Sequence, residues 1–234
     1  MTVNATNEQK FHSDFSKNLV TLDSARRRIN MQINMALRKD DSHSVTLFTY
    51  IYLLIYTSWS EAALVKLVHT PFGFSESEKK KILKDRDVLN KWTKCVNTAF
   101  AKFRKQGSEI PNKKKKIKRL VEDYLKTQGQ MRNKIAHGQW EFPLYSNNMS
   151  HDPDALVFLK SIDVIQIDTW FEIHKELVEI VRGLIDSREH NNHKAHYNDY
   201  FLRLSNIETI IDKRKKWTLE EKKRRLKLKP IKNN

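Results

Sequence analysis

A chain of 234 residues with 39% hydrophobic and 31% charged residues can bury one sizeable core and is too apolar to be disordered throughout. Its formal net charge of +16 and pI of about 9.8 favour polyanionic partners: RNA, DNA or anionic lipid. The single cysteine, Cys95, excludes an intramolecular disulfide and a cysteine-based metal site. It reads as a small core filler, and a reducing, cytoplasmic setting fits it.

Five Gly and five Pro are few breakers for this length, which favours long helices and few turns. Residues 1–16 lack an apolar h-region, so no secretory signal is expected there, and the segment reads as flexible. A first helix is expected from Lys17 to Lys39, with Leu19, Leu22, Ile29, Ile33 and Leu37 as its apolar stripe. After "DDSHS", where Ser42 or Ser44 can cap, a second helix runs from about Val45 to Val68. Its apolar run Val45–Tyr56 is too short to span a bilayer and reads as a core helix. Ser75 and Glu78 have capping-box spacing and open a helical stretch carrying Ile82, Val88, Leu89, Trp92 and Val96.

"RKQGSEIPN" is a loop, and a further helix runs from about Lys114 to Ala136, stopped by Gly138. Two apolar stretches around a polar turn, between Gln139 and Ile162, predict a small β-hairpin. Thr169 and Glu172 again have capping-box spacing. Ile173, Leu177, Ile180, Val181, Leu184 and Ile185 then trace the cleanest amphipathic helix in the chain. "SREHNNHKAHYND" reads as a polar linker, followed by a basic helical tail. The sum is an all-α, antiparallel bundle of four or five long helices, with a small β-hairpin insertion. The organisation expected is a flexible segment 1–16, a helical domain 17–187 and a linker with tail 188–234.

The stretch "QMRNKIAHGQW", Gln130–Trp140, carries the chemistry of interest. An Arg followed five positions later by a His also occurs at Arg38–His43 and Arg188–His193, but those straddle a polar break and a polar linker. Arg132–His137 instead ends a long helix. Asn133 and His137, four apart, share a helix face, while Arg132 must reach round to join them. Gly138 at the helix end lets the chain turn sharply, with His137 off the last turn. An Arg fork can hold a phosphate, and a His exchanges protons near neutral pH. Basic residues in a last helical turn also complement the helix dipole and cap its carbonyls, and residue chemistry alone favours that structural reading.

"RNKIAHG" resembles the signature of the HEPN superfamily: an Arg, four to six residues, then a His, usually with a polar residue after the Arg. Asn133 fills that place. Upstream, "YIYLLIYTSWSEAALVKLV" is similar to the second long helix of bacterial HEPN proteins, with Trp59 and Glu61 at its recurring aromatic and acidic positions. The resemblance covers roughly Lys17–Ser187. It implies a metal-independent endoribonuclease without cofactors, acting as a toxin, in phage defence or in RNA processing. It also implies a homodimer whose two motifs face each other across a composite cleft, and a possible antitoxin or defence-system partner. His137 would be the general acid/base, Arg132 the phosphate ligand and Asn133 the orienting residue. RNA would be cleaved by its own 2′-OH, leaving a 2′,3′-cyclic phosphate and a 5′-OH. The other reading is a catalytically inactive HEPN-like module that binds RNA or protein.

Glu61 either pairs with Arg132 or is simply the solvated side of its helix, and Trp59 reads as core. The run Lys113, Lys114, Lys115, Lys116, Lys118 and Arg119 starts the motif helix, at the end the dipole disfavours for cations, and is expected to contact RNA. Half the net charge lies between Asp212 and Asn234, eleven Lys/Arg against three Asp/Glu. Trp217, Leu219, Leu226, Leu228 and Ile231 are too sparse for a membrane-binding face. His190, His193 and His196 could hold a metal only if helical, and no acidic partner accompanies them, so no metal site is expected. No P-loop, GxGxxG or paired-carboxylate pattern is present.

Overall fold

Segments with few Gly and Pro become long helices here, and Asp41, Asp87 and Asp152 each cap a helix start. The computed structural model of the protein describes residues 7–103, 109–190 and 193–228. Its helices are α1 (Asn7–Arg38), α2 (Ser42–Val68), α3 (Glu76–Leu83), α4 (Val88–Ala99), α5 (Glu109–Ala136), α6 (Pro153–Ser161), α7 (Val164–His190), α8 (His193–Lys215) and α9 (Leu219–Leu228). A 3-10 turn, Phe100–Phe103, follows α4. The all-α expectation holds, and five of the helices exceed twenty residues.

α2 and α7 form the centre. α1 packs along α2, α8 along α7, and α4 against α5, while α5 leans on both central helices. α2 is long and apolar enough, by length and composition, to cross a bilayer; in this fold α1, α4, α5 and α7 surround it. Tyr52, Leu53, Tyr56, Ala63 and Leu64 of α2 are fully buried against Phe171, Leu177 and Val181 of α7. Burying side chains of this size stabilises by roughly 1.5–3 kcal/mol each before chain entropy is counted.

Two buried polar networks tie the helices together. In the first, Tyr56 Oη donates to the Tyr124 carbonyl at 2.6 Å and accepts from His174 Nδ1 at 3.1 Å. His174 Nε2 then accepts from Ser60 Oγ at 3.4 Å, and Ser60 Oγ accepts from Trp92 Nε1 at 3.2 Å. The chain of bonds links α5, α2, α7 and α4 and fixes the Nδ1-protonated tautomer. Burial alone pushes the His174 imidazole down to about 3, so it is neutral. In the second, Asp168 accepts from Tyr52 Oη at 2.6 Å, Arg26 at 3.0 Å and Asn30 at 3.2 Å, with Lys222 at 3.9 Å.

Several sequence expectations are corrected. The β-hairpin is absent: among the described residues there is no strand, only an isolated antiparallel bridge between Leu144 and His151. The second apolar stretch is helical instead, because Asp152 caps α6 through the Ala155 N–H at 3.0 Å and Pro153 follows at the first helical position. Thr169 and Glu172 do not open a helix. Asp163 and Gln166 form the reciprocal cap of α7, at 2.9 and 3.1 Å, while Thr169 Oγ1 bonds back to the Ile165 carbonyl. The stretch from Ser75 is two helices, split where Asp87 caps α4. α1 starts at Asn7, so residues 7–16 expected as flexible are helical.

The expected linker and tail are part of the same bundle. α7 continues to His190, α8 packs back on it with Leu204 and Ile207 buried, and α9 lies against α1. Many tail cations are held internally: Arg203 by Glu176 at 3.1 Å, Arg214 by Glu172, and Lys223 and Lys227 by Asp40, each at 2.7 Å. The side chains of Arg188, His190, His193 and His196 lie outside the described residues.

Candidate active site at the end of α5

The last turn of α5 closes as a Schellman cap. Gln139 N–H donates to the Lys134 carbonyl at 2.9 Å, Gly138 N–H to the Ile135 carbonyl at 3.1 Å, and Gly138 has φ +78°. Only glycine takes that backbone without strain, and the turn leaves His137 exposed at the helix end. Trp140 then folds back: its Nε1 donates to the Ile135 carbonyl at 2.9 Å and its ring meets Tyr50 of α2 edge-on at 5.7 Å.

Beyond the cap, the chain makes a tight excursion. Asp152 N–H donates to the Pro143 carbonyl at 2.8 Å, Tyr145 N–H to Ser150 at 3.0 Å and Asn148 N–H to Tyr145 at 2.9 Å. Asn148 sits at φ 56°, a left-handed position that Asn tolerates. The excursion is fastened in three places to the end of α5 and the cap that follows it. Lys134 Nζ donates to the Leu144 carbonyl and pairs with Asp152 at 2.9 Å, and Gln139 Oε1 accepts from the Leu144 N–H at 2.9 Å. The Ala155 N–H and the Lys134 ammonium hold the Asp152 carboxyl below its ordinary range.

Between this loop and α5 lies an open groove of about 810 Å³, within the size range of small-ligand sites. Gln130, Asn133, Lys134 and His137 form one wall, spaced by three or four residues so that they share a face. Leu144, Tyr145, Ser146, Asn148 and Asp152 form the other. Arg132 does not line the groove. Its Nη1 donates to Asn133 Oδ1 at 3.0 Å, which sets the guanidinium at the groove's edge. Asn133 thus touches Arg132 and shares the groove wall with His137.

Glu61 is not part of this assembly. It pairs with Lys91 of α4 at 3.6 Å. Tyr50 meets Trp140 and Tyr56 meets Tyr124, so α2 and α5 run antiparallel and Glu61 points toward the far end of α5. It lies on the order of 20 Å along the helices from Arg132. Trp59 is core, packed on Phe171 and His174.

The basic run does not present one face. Lys113 is buried with its ammonium over the Tyr200 ring at 5.5 Å, and Lys116 pairs with Glu208 at 2.6 Å, so both serve the contact with α8. Lys114 and Lys118 are half-buried, and Lys115 and Arg119 are exposed. The run also lies about 27 to 36 Å along the helix from His137. The residues that sequence reasoning missed are Lys134, Gln139, Tyr145 and Asp152. For Lys134 and Asp152 a signal existed: the first shares the motif face, and "DP" marks a helix cap.

Among the described residues no cluster of His, Cys, Asp and Glu could hold a metal ion. What the site offers is a cation, an amide and an imidazole beside a groove with an aromatic wall. Comparison with protein-family models, with curated proteins and with solved structures finds no match to this chain.

Proposed function

We propose that the protein is a metal-independent endoribonuclease of HEPN type, with Arg132, Asn133 and His137 as its catalytic residues. The observation that carries this reading is the exposure of His137 beside Asn133 on the wall of an open groove, with Arg132 hydrogen-bonded to that same Asn133. The chemistry asks little more. The RNA 2′-OH attacks the adjacent phosphorus, the P–O5′ bond breaks, and a proton passes from the 2′-oxygen to His137 and back to the leaving 5′-oxygen. Arg132 neutralises the charge gathered on the phosphorane. The products are a 2′,3′-cyclic phosphate and a 5′-OH. The HEPN resemblance further suggests a homodimer with a composite cleft, a toxin or phage-defence role in the cytoplasm, and an inhibitor or partner protein.

A second reading, an inactive HEPN-like module binding RNA or protein, is favoured by one observation: Arg132 stands outside the groove lining. The test is cleavage of a labelled RNA in EDTA by the native chain, His137→Ala and Arg132→Ala. Loss of cleavage by at least a hundredfold in each variant is the expected result, general acid/base catalysis alone contributing ~10²–10⁴-fold. Cleavage that persists in His137→Ala removes the catalytic assignment.

A further inference from the structure

We infer that the loop facing His137 is a nucleobase-reading subsite, in which Tyr145 stacks one unpaired base. The inference rests on the reading of the groove as an RNA site. Tyr145 lines the groove, yet 43% of its surface is exposed, so a face of the ring is open to a ligand. An aromatic half-exposed in a groove is the platform that single-stranded nucleic acids use, because every base has a π-face. The side chains around it supply edge-reading groups: Asn148 and Ser146 on the loop, Gln130 on α5. Amide and hydroxyl groups hydrogen-bond base edges, whereas a site built only for phosphate would present cations.

The loop is also anchored. Two of its anchors run from Lys134, which bonds the Leu144 carbonyl and pairs with Asp152, and the third runs from Gln139. Lys134 is the residue between Asn133 and Ile135, so the platform is fixed to the same helical turn as the catalytic set. A base on Tyr145 would set which phosphate reaches His137. A base-paired strand has no free face to offer, so the subsite selects unpaired segments.

The experiment measures binding of a fluorescein-labelled 2′-O-methyl RNA hexamer, which lacks the nucleophile and cannot be cut. The full chain is compared with Tyr145→Ala and Tyr145→Phe. Tyr145→Ala is expected to weaken binding roughly 10- to 100-fold, the loss typical of one stacked base, with Tyr145→Phe close to native. A blunt duplex of the same length should bind the native chain and Tyr145→Ala alike. Native-like binding by Tyr145→Ala overturns the subsite, as does a native chain that binds no single strand. The catalytic assignment is read separately. A chain that binds through Tyr145 but does not cut natural RNA keeps the subsite and loses the ribonuclease. A chain whose kcat/KM survives Tyr145→Ala but not His137→Ala does the reverse.

Discussion

His174 is fully buried and neutral, with burial lowering it from 6.5 to about 3. Its ring donates through Nδ1 and accepts through Nε2, so a proton added at Nε2 would displace the Ser60 hydroxyl and place a charge in the core. The unfolded chain binds that proton below its ordinary value while the native chain does not. Stability from this group is therefore complete above about pH 6.5 and is lost progressively as pH falls toward 3. Between pH 7.5 and 5.0 the loss works out at about 2 kcal/mol. Urea unfolding of the native chain and of His174→Gln at the two pH values isolates it. The glutamine is neutral throughout, and the contributions of carboxylates and of His12 and His69 are common to both proteins. The native chain should lose about 2 kcal/mol more than the variant over this interval. Equal losses, or an imidazole resonance for His174 that titrates near 6.5 in the folded protein, would refute the argument.

Three further outcomes are expected. Gly138→Ala puts a side chain at φ +78°, which should cost about 1 kcal/mol by thermal denaturation and reduce RNA cleavage more than its stability loss explains. Gly73→Ala brings a Cβ to 2.4 Å from Ile185 Cγ2 and 3.1 Å from the Thr70 carbonyl. It should destabilise by about 1–3 kcal/mol in chemical denaturation, and Ile185→Leu, which lacks that methyl, should recover part of the loss. Asp168→Asn leaves Arg26 and Lys222 without their anion in a half-buried setting and should cost about 3 kcal/mol, read from the urea midpoint.

The helices of this fold were legible wherever apolar residues recur at helical spacing. The stripe from Ile173 to Ile185 is buried as expected, and Ser75 with Glu78 makes both arms of its capping box. Caps were misread where two residue pairs fit one pattern. Thr169–Glu172 and Asp163–Gln166 both have the spacing, and only tertiary packing puts the start of α7 at Val164. The segment after Gly138 looked like a hairpin because its apolar stretches are short and flank a turn. One of them was instead claimed by a helix cap. The basic tail read as lying outside the helical domain because its partners, Asp40, Asp168, Glu172 and Glu176, are distant in sequence. For the site, the motif helix and its terminating glycine could be read directly. The facing loop could not, since its position depends on the contacts of Lys134 and Gln139 rather than on any local pattern.

The clasp that Lys222 makes on the core has a bearing on the order of assembly. Its bond to Asn30 closes a loop of 192 residues, and the Asn30–Asp168 bond one of 138. Such closures form late, because local helices and nearer pairings are reached first. α1 itself docks on its neighbour α2 across a short connection, so what waits for α9 is the Asn30–Lys222 bond and not the helix. During synthesis, the groove-bearing helix and its loop are complete well before α9 emerges to add that bond.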